Sequence, residues 1–126
     1  MKMPFQLLIV EDDPILAQAL TQTLSNKGYN IVTTSNGNEA LAQVAEHAFD
    51  LILTDLLMPH MDGITLIEHL VAQGSTVPIA VLTNLMRPDV HERLKAMHVD
   101  HHFIKTDTPL EEIARYVEER CQSAQT

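Results

Sequence analysis

The chain of 126 residues lacks several features that would mark particular classes of protein. It has a single cysteine, Cys121, and therefore no internal disulfide, which fits a reducing cytoplasm. The N-terminus lacks the features of a signal peptide, because Pro4, Gln6 and Glu11 interrupt any apolar segment there. No apolar run approaches the length of a membrane span. We therefore expect a cytoplasmic protein with no membrane insertion.

Positive charge is also scarce. Lys and Arg together number 8 against 17 Asp and Glu. Direct nucleic-acid binding needs cations that displace phosphate counterions, so this balance argues against it. The sequence also contains neither a P-loop nor a G-x-G-x-x-G motif, so it does not hold phosphate as nucleotide-binding domains do. Hydrophobic residues make up 45% and charged residues 20%, which is typical of a globular domain and argues against disorder.

What the sequence does have is an alternation of short apolar runs and stretches with helical spacing. Unbroken runs of this kind are typical of strands buried on both faces. The predicted strands are Leu7–Val10, Tyr29–Thr33, Leu51–Thr54, Ile79–Leu82 and His102–Ile104. Each is followed by a helical pattern, of which the fourth, around Val90 and Leu94, is the thinnest. Five such repeats predict an α/β fold with a doubly wound parallel sheet, as a single domain over residues 1–126.

Helix boundaries agree with this division. Asp13 before Pro14 and Thr108 before Pro109 each have the pattern of an N-cap followed by proline at the first helical position. Asp13 is therefore interpreted as a cap and not as a ligand.

Polar side chains stand directly after the strong strands, where parallel sheets bind their ligands. They are Glu11, Asp12 and Asp13 after the first strand, Asp55 after the third, Thr83 and Asn84 after the fourth, and Lys105 after the fifth. Carboxylate oxygens with room for water suit a hard cation such as Mg²⁺. A lysine and a hydroxyl beside the metal would hold the oxygens of a phosphoryl group.

These residues resemble those of a known family. The stretch D-L-L-M-P-H-M-D-G, Asp55 to Gly63, matches the D-x-x-M-P-x-M-D-G signature of the receiver domains of bacterial two-component response regulators. V-E-D-D after the first strand, V-L-T after the fourth and F-I-K after the fifth support the match in order and spacing. The resemblance covers nearly the whole chain. It implies a flavodoxin-like (βα)5 fold with strand order 2-1-3-4-5.

The resemblance also implies a role for each matching residue. Asp55 would be the phosphoacceptor. Asp12 would bind Mg²⁺, or Mn²⁺, directly, Glu11 would bind it through water, and the backbone carbonyl of Leu57 would complete the protein ligands together with Asp55. Phosphoryl transfer depends mainly on positioning and charge neutralisation, which such a set provides.

Thr83 and Lys105 would contact the phosphoryl oxygens, so that Asp55, Thr83 and Lys105 form the reacting set. Thr83 and His102 stand at the family's switch positions, where an inward movement of the threonine is followed by the second residue.

The sequence departs from the family pattern in three places. Thr106 follows Lys105 where the family usually has a proline, often with a cis bond, so that fixed turn is absent. His102 replaces the switch aromatic, which would let charge and pH affect the switch. His98 and Val99 replace the common Gly-Ala. We therefore expect an intact phosphorylation site with an unusual readout.

The leading hypothesis is a phosphorelay switch that catalyses only its own phosphorylation and dephosphorylation and is otherwise not an enzyme. Its partners would be a sensor histidine kinase or histidine phosphotransfer protein, a downstream protein of unknown identity, and a second copy through the face of the last helices. No effector domain follows, so the chain is either a stand-alone regulator or a domain of a longer protein.

Other hypotheses remain. A receiver-like scaffold would bind partners without phosphorylation. A phosphohydrolase with an aspartyl nucleophile would usually have a second Asp two residues after it, where this chain has Leu57. A flavin-binding module would need a hydroxyl-rich loop after the first strand, and this chain has no such loop there.

Two other features receive structural interpretations. The histidines at positions 98, 101 and 102 match no recognised ligand spacing and are interpreted as surface or loop residues. Cys121 lies on the apolar stripe of the last helix and is interpreted as a core residue.

Overall fold

The computed structural model describes residues 4–85 and 87–124. Strands and helices alternate along the chain. They are β1 Gln6–Val10, α1 Pro14–Ser25, β2 Asn30–Thr34, α2 Gly37–Glu46, β3 Leu51–Thr54, α3 Gly63–Ala72, β4 Ile79–Thr83, α4 Pro88–Ala96, β5 His101–Ile104 and α5 Leu110–Ala124. A short 3-10 helix, Lys105–Asp107, lies between β5 and α5. Within the described ranges, none of the helices is both long and apolar enough to cross a bilayer.

The strands form one parallel sheet in the order β2-β1-β3-β4-β5. The predicted fold class and strand order are confirmed. The predicted strand limits are correct to within one residue at each end. The register aligns the carboxyl ends of the strands: Val10 pairs with Thr54, and Thr54 pairs with Val81. The residues that follow these strands therefore meet along one edge of the sheet.

Helices cover both faces of the sheet, because side chains along each strand point alternately to opposite sides. Leu7 and Ile9 of β1 pack into one core cluster with residues of α1 and α5. Leu8 and Val10 pack into a second cluster with residues of α2, α3 and α4. Cys121 is buried in the first cluster, as predicted. Each fully buried leucine stabilises the fold by about 1.5–3 kcal/mol relative to an exposed one.

The two predicted helix starts have different outcomes. Asp13 caps α1, its Oδ1 accepting a hydrogen bond from the Ile15 amide at 3.0 Å, and Pro14 is the first helical residue. The prediction for α5 is wrong by one residue, since that helix begins at Leu110. The Thr108 hydroxyl donates instead to the Ile104 carbonyl at 2.7 Å, across the 3-10 turn. The hydroxyl is therefore engaged by the preceding turn.

Candidate functional site

A buried ion network lies at the carboxyl edge of the sheet. Lys105 follows β5, and its Nζ lies 2.6 Å from Oδ2 of Asp55, which follows β3. The same Nζ lies 2.9 Å from Oε1 of Glu11, which follows β1. Glu11 is 4% exposed and Asp55 5% exposed. Two carboxylates taken out of water need a cation between them, and Lys105 supplies it.

The pKa values of this network follow from burial and pairing. Burial raises the pKa of Glu11, and the charge of Asp55 raises it further, while hydrogen bonds from Lys105 and the Asp13 amide only partly oppose this. Burial works against the charge of Lys105, but its hydrogen bonds to Asp55 and Glu11 outweigh that effect and hold its pKa above the ordinary value. Lys105 is therefore firmly cationic at neutral pH.

Asp12 completes a group of three acids. Glu11, Asp12 and Asp55 each offer a carboxylate oxygen, and these oxygens lie within 4.8 Å of one another. Glu11 and Asp55 are buried and Asp12 is exposed, so the group opens to solvent on the side of Asp12. Within the part of the chain that the structure describes, no other group of His, Cys, Asp or Glu has this arrangement. The histidines at positions 98, 101 and 102 accordingly form no such group.

Backbone amides hold the carboxylate of Asp55 from the other side. Its Oδ1 accepts hydrogen bonds from the amides of Leu56 at 2.6 Å and Leu57 at 3.4 Å. Since Oδ2 contacts Lys105, both oxygens of Asp55 have donors, and the orientation of the carboxylate is determined. The Leu57 side chain points outward and is 58% exposed.

Gly63 lets the loop after Asp55 fold back on the strand. A Cβ at this position would overlap the carbonyl oxygen of Asp55 and press on Cα of Leu56, so only glycine fits without movement. The Gly63 amide donates to the Leu56 carbonyl at 2.9 Å. Asp62 then caps α3, accepting from the Thr65 amide at 2.8 Å. The last two residues of the signature thus shape the loop that presents Asp55.

Thr83 lies at the end of β4, next in the sheet to β3, and is buried. Its Oγ1 accepts a hydrogen bond from the Leu85 amide at 3.2 Å. The structure places Thr83 along the same edge as Asp55, with its side chain bonded within its own loop.

His102 lies apart from the acids. It is in β5, pairs with Val81 and stacks its ring on that of His91 in α4 at a centroid distance of 6.0 Å. Burial lowers the pKa of His102, and the nearby His91 and His101 lower it further. At neutral pH the imidazole is therefore mainly uncharged.

Two contacts were not predicted from the sequence. The Asp13 amide donates to Oε2 of Glu11 at 3.1 Å, so the residue that caps α1 also orients an acid of the site. The Asn84 side chain accepts a hydrogen bond from the Thr106 amide at 3.0 Å. The position of Asn84 directly after β4 was the available signal, but its partner depends on the loop conformation.

Comparison with known proteins agrees on one family. The family model described as the response regulator receiver domain matches residues 7–117. Response regulator MprA of Mycolicibacterium vanbaalenii is 35% identical over 95 residues, which cover 75% of this chain and 40% of that protein. Protein RcaC of Microchaete diplosiphon is 32% identical over 112 residues, covering 87% of this chain and 17% of that protein. The chain therefore spans less than half the length of these curated relatives.

Solved structures show the same fold. The Francisella response regulator 1452 receiver domain superposes with a TM-score of 0.85 at 26% identity, covering 94% of this chain and 97% of that one. The chemotaxis response regulator CheY4 of Vibrio cholerae superposes with a TM-score of 0.82 at 27% identity, covering 92% and 98%.

Proposed function

The chain belongs to the response regulator receiver domain family, and we propose that it is a Mg²⁺-dependent switch that accepts a phosphoryl group on Asp55. One observation carries the proposal. The buried Asp55 carboxylate has Lys105 on one oxygen and two further acids close enough to share a cation with it. Such a site combines a nucleophilic oxygen with the positive charges that a phosphoryl group requires.

The donor set fits a hard divalent cation. Mg²⁺, or Mn²⁺ in its place, prefers carboxylate, carbonyl and water oxygens, and Glu11, Asp12 and Asp55 offer such oxygens within reach of one another. Asp12 would bind the ion directly and Glu11 through water, with the Leu57 carbonyl as a further ligand. The bound ion would neutralise charge on the transferring phosphoryl oxygens.

The chain's own residues then position the reaction. A carboxylate oxygen of Asp55 attacks the phosphorus of a phosphohistidine. As the P–O bond forms, the P–N bond breaks and its electron pair stays on the imidazole nitrogen. Lys105, now paired with Asp55 at 2.6 Å, is placed to move onto a phosphoryl oxygen. A charge-assisted hydrogen bond of this type is stronger than a neutral one.

Thr83 would serve as the second contact to the phosphoryl group. Its oxygen accepts from the Leu85 amide, and a hydroxyl that accepts in this way still has its own hydrogen to donate. A turn of the hydroxyl toward the phosphoryl group would shift the β4–α4 loop, and His102 on the neighbouring strand would report the change. The switch is a shift between two populations, driven by contacts that exist only in the phosphorylated form.

The phosphoryl donor would be a sensor histidine kinase or a histidine phosphotransfer protein. The surface changed by the shift of the β4–α4 loop would then bind a downstream protein, or a second copy of the chain through the last helices. We propose a single receiver domain over residues 1–126 as the unit that carries these contacts.

Phosphorylation by a small donor tests the proposal. Purified protein is incubated with acetyl phosphate, with and without Mg²⁺, and its intact mass is measured. We expect a gain of one phosphoryl group that requires Mg²⁺ and is lost in Asp55→Asn. Asp89→Asn is the matched control, because Asp89 is an exposed acid of α4 paired with Arg87, and it should label normally. Failure of the wild type to gain mass, or equal labelling of Asp55→Asn, would contradict the proposal.

A further inference from the structure

A hydrogen bond joins the two loops that present Thr83 and Lys105. The Thr106 amide, directly after Lys105, donates to Oδ1 of Asn84, directly after Thr83, at 3.0 Å. The two loops follow neighbouring strands, since Thr83 at the end of β4 pairs with Ile104 at the end of β5. The proposed mechanism assigns no role to this bond.

The Thr106 amide needs a partner from outside its own turn. Residues Lys105–Asp107 form a 3-10 helix, and the first amides of a helical turn have no acceptor within it. The Asn84 side chain supplies that acceptor. The residues that flank the turn are joined as well, since the Thr108 hydroxyl donates to the Ile104 carbonyl at 2.7 Å. The turn that carries Lys105 is thus held at two points, one of them on another loop.

Asn84 is itself held in place. It is the central residue of a turn in which the Leu85 amide donates to Oγ1 of Thr83 at 3.2 Å. Hydroxyl-to-amide bonds of this spacing define a local turn and restrict the backbone. Because Thr83 is buried at the end of β4, Asn84 extends from a fixed point of the sheet.

We propose that Asn84 is a positioning residue for Lys105, which it holds through the Thr106 amide so that Nζ stays within hydrogen-bond distance of Asp55. The inference rests on the proposed function, because it assigns Asn84 to the phosphoacceptor site. A lysine side chain has many rotamers. If the turn that carries Lys105 were not held, the ammonium could move away from the Asp55 carboxylate. Anchoring the turn keeps Lys105 over Asp55 before the phosphoryl group arrives.

The identity of residue 106 matters for the same reason. A proline there would remove the amide that Asn84 accepts from, and it would disfavour the helical conformation of Lys105. Thr106 keeps both the donor and the 3-10 turn. The hydrogen bond between the Asn84 side chain and the Thr106 amide therefore holds this turn in a conformation that a proline at position 106 would disfavour.

The rate constant of phosphorylation by acetyl phosphate in saturating Mg²⁺ tests the inference. Asn84→Ala should lower it by about two- to ten-fold, the range that one hydrogen bond of ordinary net strength corresponds to. Asn84→Asp keeps an acceptor oxygen at the same place and should restore most of the rate. Asn30→Ala is the matched control, since that side chain makes a similar exposed hydrogen bond, to Gln6 at 2.9 Å, at the opposite end of the strands. It should leave the rate unchanged.

A double-mutant cycle separates positioning from a general loss of stability. If Asn84 acts through Lys105, Asn84→Ala should cause no further loss in a Lys105→Ala background. Additive losses, an unchanged rate in Asn84→Ala, or a faster rate would overturn the inference, the last because Asn84 would then be limiting access to Asp55. A wild type that gains no phosphoryl group would instead contradict the proposed function and the inference with it, so the two failures are distinct.

Discussion

Lys105 is the residue on which the acid site depends most directly. Its ammonium contacts both buried carboxylates, at 2.6 Å for Asp55 and 2.9 Å for Glu11. Without it, these acids would face each other with only backbone amides as donors. Like charges this close cannot both stay ionised at low cost, so one carboxyl would take up a proton.

Lys105→Met should therefore lower the free energy of unfolding at about pH 7 by roughly 1–3 kcal/mol, less than for a fully buried pair. The pKa of Glu11 is already raised in the folded protein, and loss of the cation raises it further. A raised pKa adds stability below the unfolded pKa and loses it as pH rises through the folded pKa. The deficit should accordingly shrink at about pH 5.

Urea unfolding at both pH values measures this deficit. Lys95→Met, at an exposed lysine of α4, is the matched control and should change little. A deficit for Lys105→Met that is equal at the two pH values, or larger in acid, would contradict the account.

Gly63 and Gly74 are required for different reasons, the first because there is no space for a side chain and the second because of its backbone conformation. Gly63→Ala should destabilise the protein by about 3 kcal/mol, at the upper end of overpacking costs, because the Cβ would overlap the Asp55 carbonyl oxygen. Gly74→Ala should cost about 1 kcal/mol, because its φ of +78° disfavours a side chain although nothing lies within 4 Å. Thermal unfolding compares the two, and equal losses would show that the close approach at Gly63 is relieved by movement of the loop.

Among the elements, β5 contacts α4 and α5 through aromatic rings, three of which are imidazoles. His102 of β5 stacks on His91 of α4, and His101 stacks on Tyr116 of α5. The Tyr116 hydroxyl donates to the Asp100 carboxylate, next to the start of β5. The edge strand therefore contacts both neighbouring helices through imidazole and phenol rings.

His102→Phe should make the stability less dependent on pH between about pH 7 and pH 5. The pKa of His102 is lowered in the folded protein by burial and by His91 and His101. A lowered pKa contributes stability above the unfolded pKa, and this is lost as pH falls through the folded pKa. The wild type should thus lose more stability in this window than the variant.

The charged and titratable groups that line the same surroundings are Arg87, His91, Lys95, Asp100 and His101. They are present in both proteins, so the difference in slope between the two reports His102 together with its coupling to His91 and His101. His69→Phe, at an exposed histidine of α3, is the matched control and should keep the wild-type slope. Urea unfolding at several pH values measures the slope of the free energy of unfolding against pH. Equal slopes for the wild type and His102→Phe would contradict the prediction.

The molecule as a whole carries an excess of negative charge, and within the described residues a cation would reduce it at one group of acids. The net charge is −9, and three of the acids converge at one edge of the sheet. A cation that binds only the folded chain must raise its stability by mass action. The metal proposal is therefore testable without any phosphoryl donor.

Mg²⁺ at about ten times its dissociation constant should raise the free energy of unfolding by roughly 1.4 kcal/mol. Asp12→Asn should abolish most of this gain and, by removing one of the repelling acids, should not weaken the metal-free protein. Asp13→Asn is the matched control. Asp13 is the next acid along the chain, but it caps α1, and asparagine caps a helix equally well. Calorimetry with Mg²⁺ and with EDTA measures the shift, and a gain that persists in Asp12→Asn or disappears in Asp13→Asn would refute the assignment.

The architecture was predictable because it depends on patterns that neighbouring residues determine. Unbroken apolar runs and helical spacing predicted five strands, their order followed from the resemblance, and the structure confirms both. The cap at Asp13 was predictable for the same local reason. The start of α5 was not predictable in this way. The Thr108 hydroxyl donates to the carbonyl of Ile104, four residues earlier, across a turn that the sequence did not predict.

The apolar patterns alone were enough to predict which chemical groups lie at the carboxyl edge of the sheet, because each group directly follows a strand with a clear pattern. How these groups pair with one another depends on the folded chain. Lys105 meets an acid 50 positions away, and Asn84 meets an amide 22 positions away. Such contacts depend on strand register and loop conformation, which arise when the whole sheet forms. The sequence shows that a threonine and not a proline follows Lys105, but the 3-10 turn and its hydrogen bond to Asn84 exist only in the folded chain.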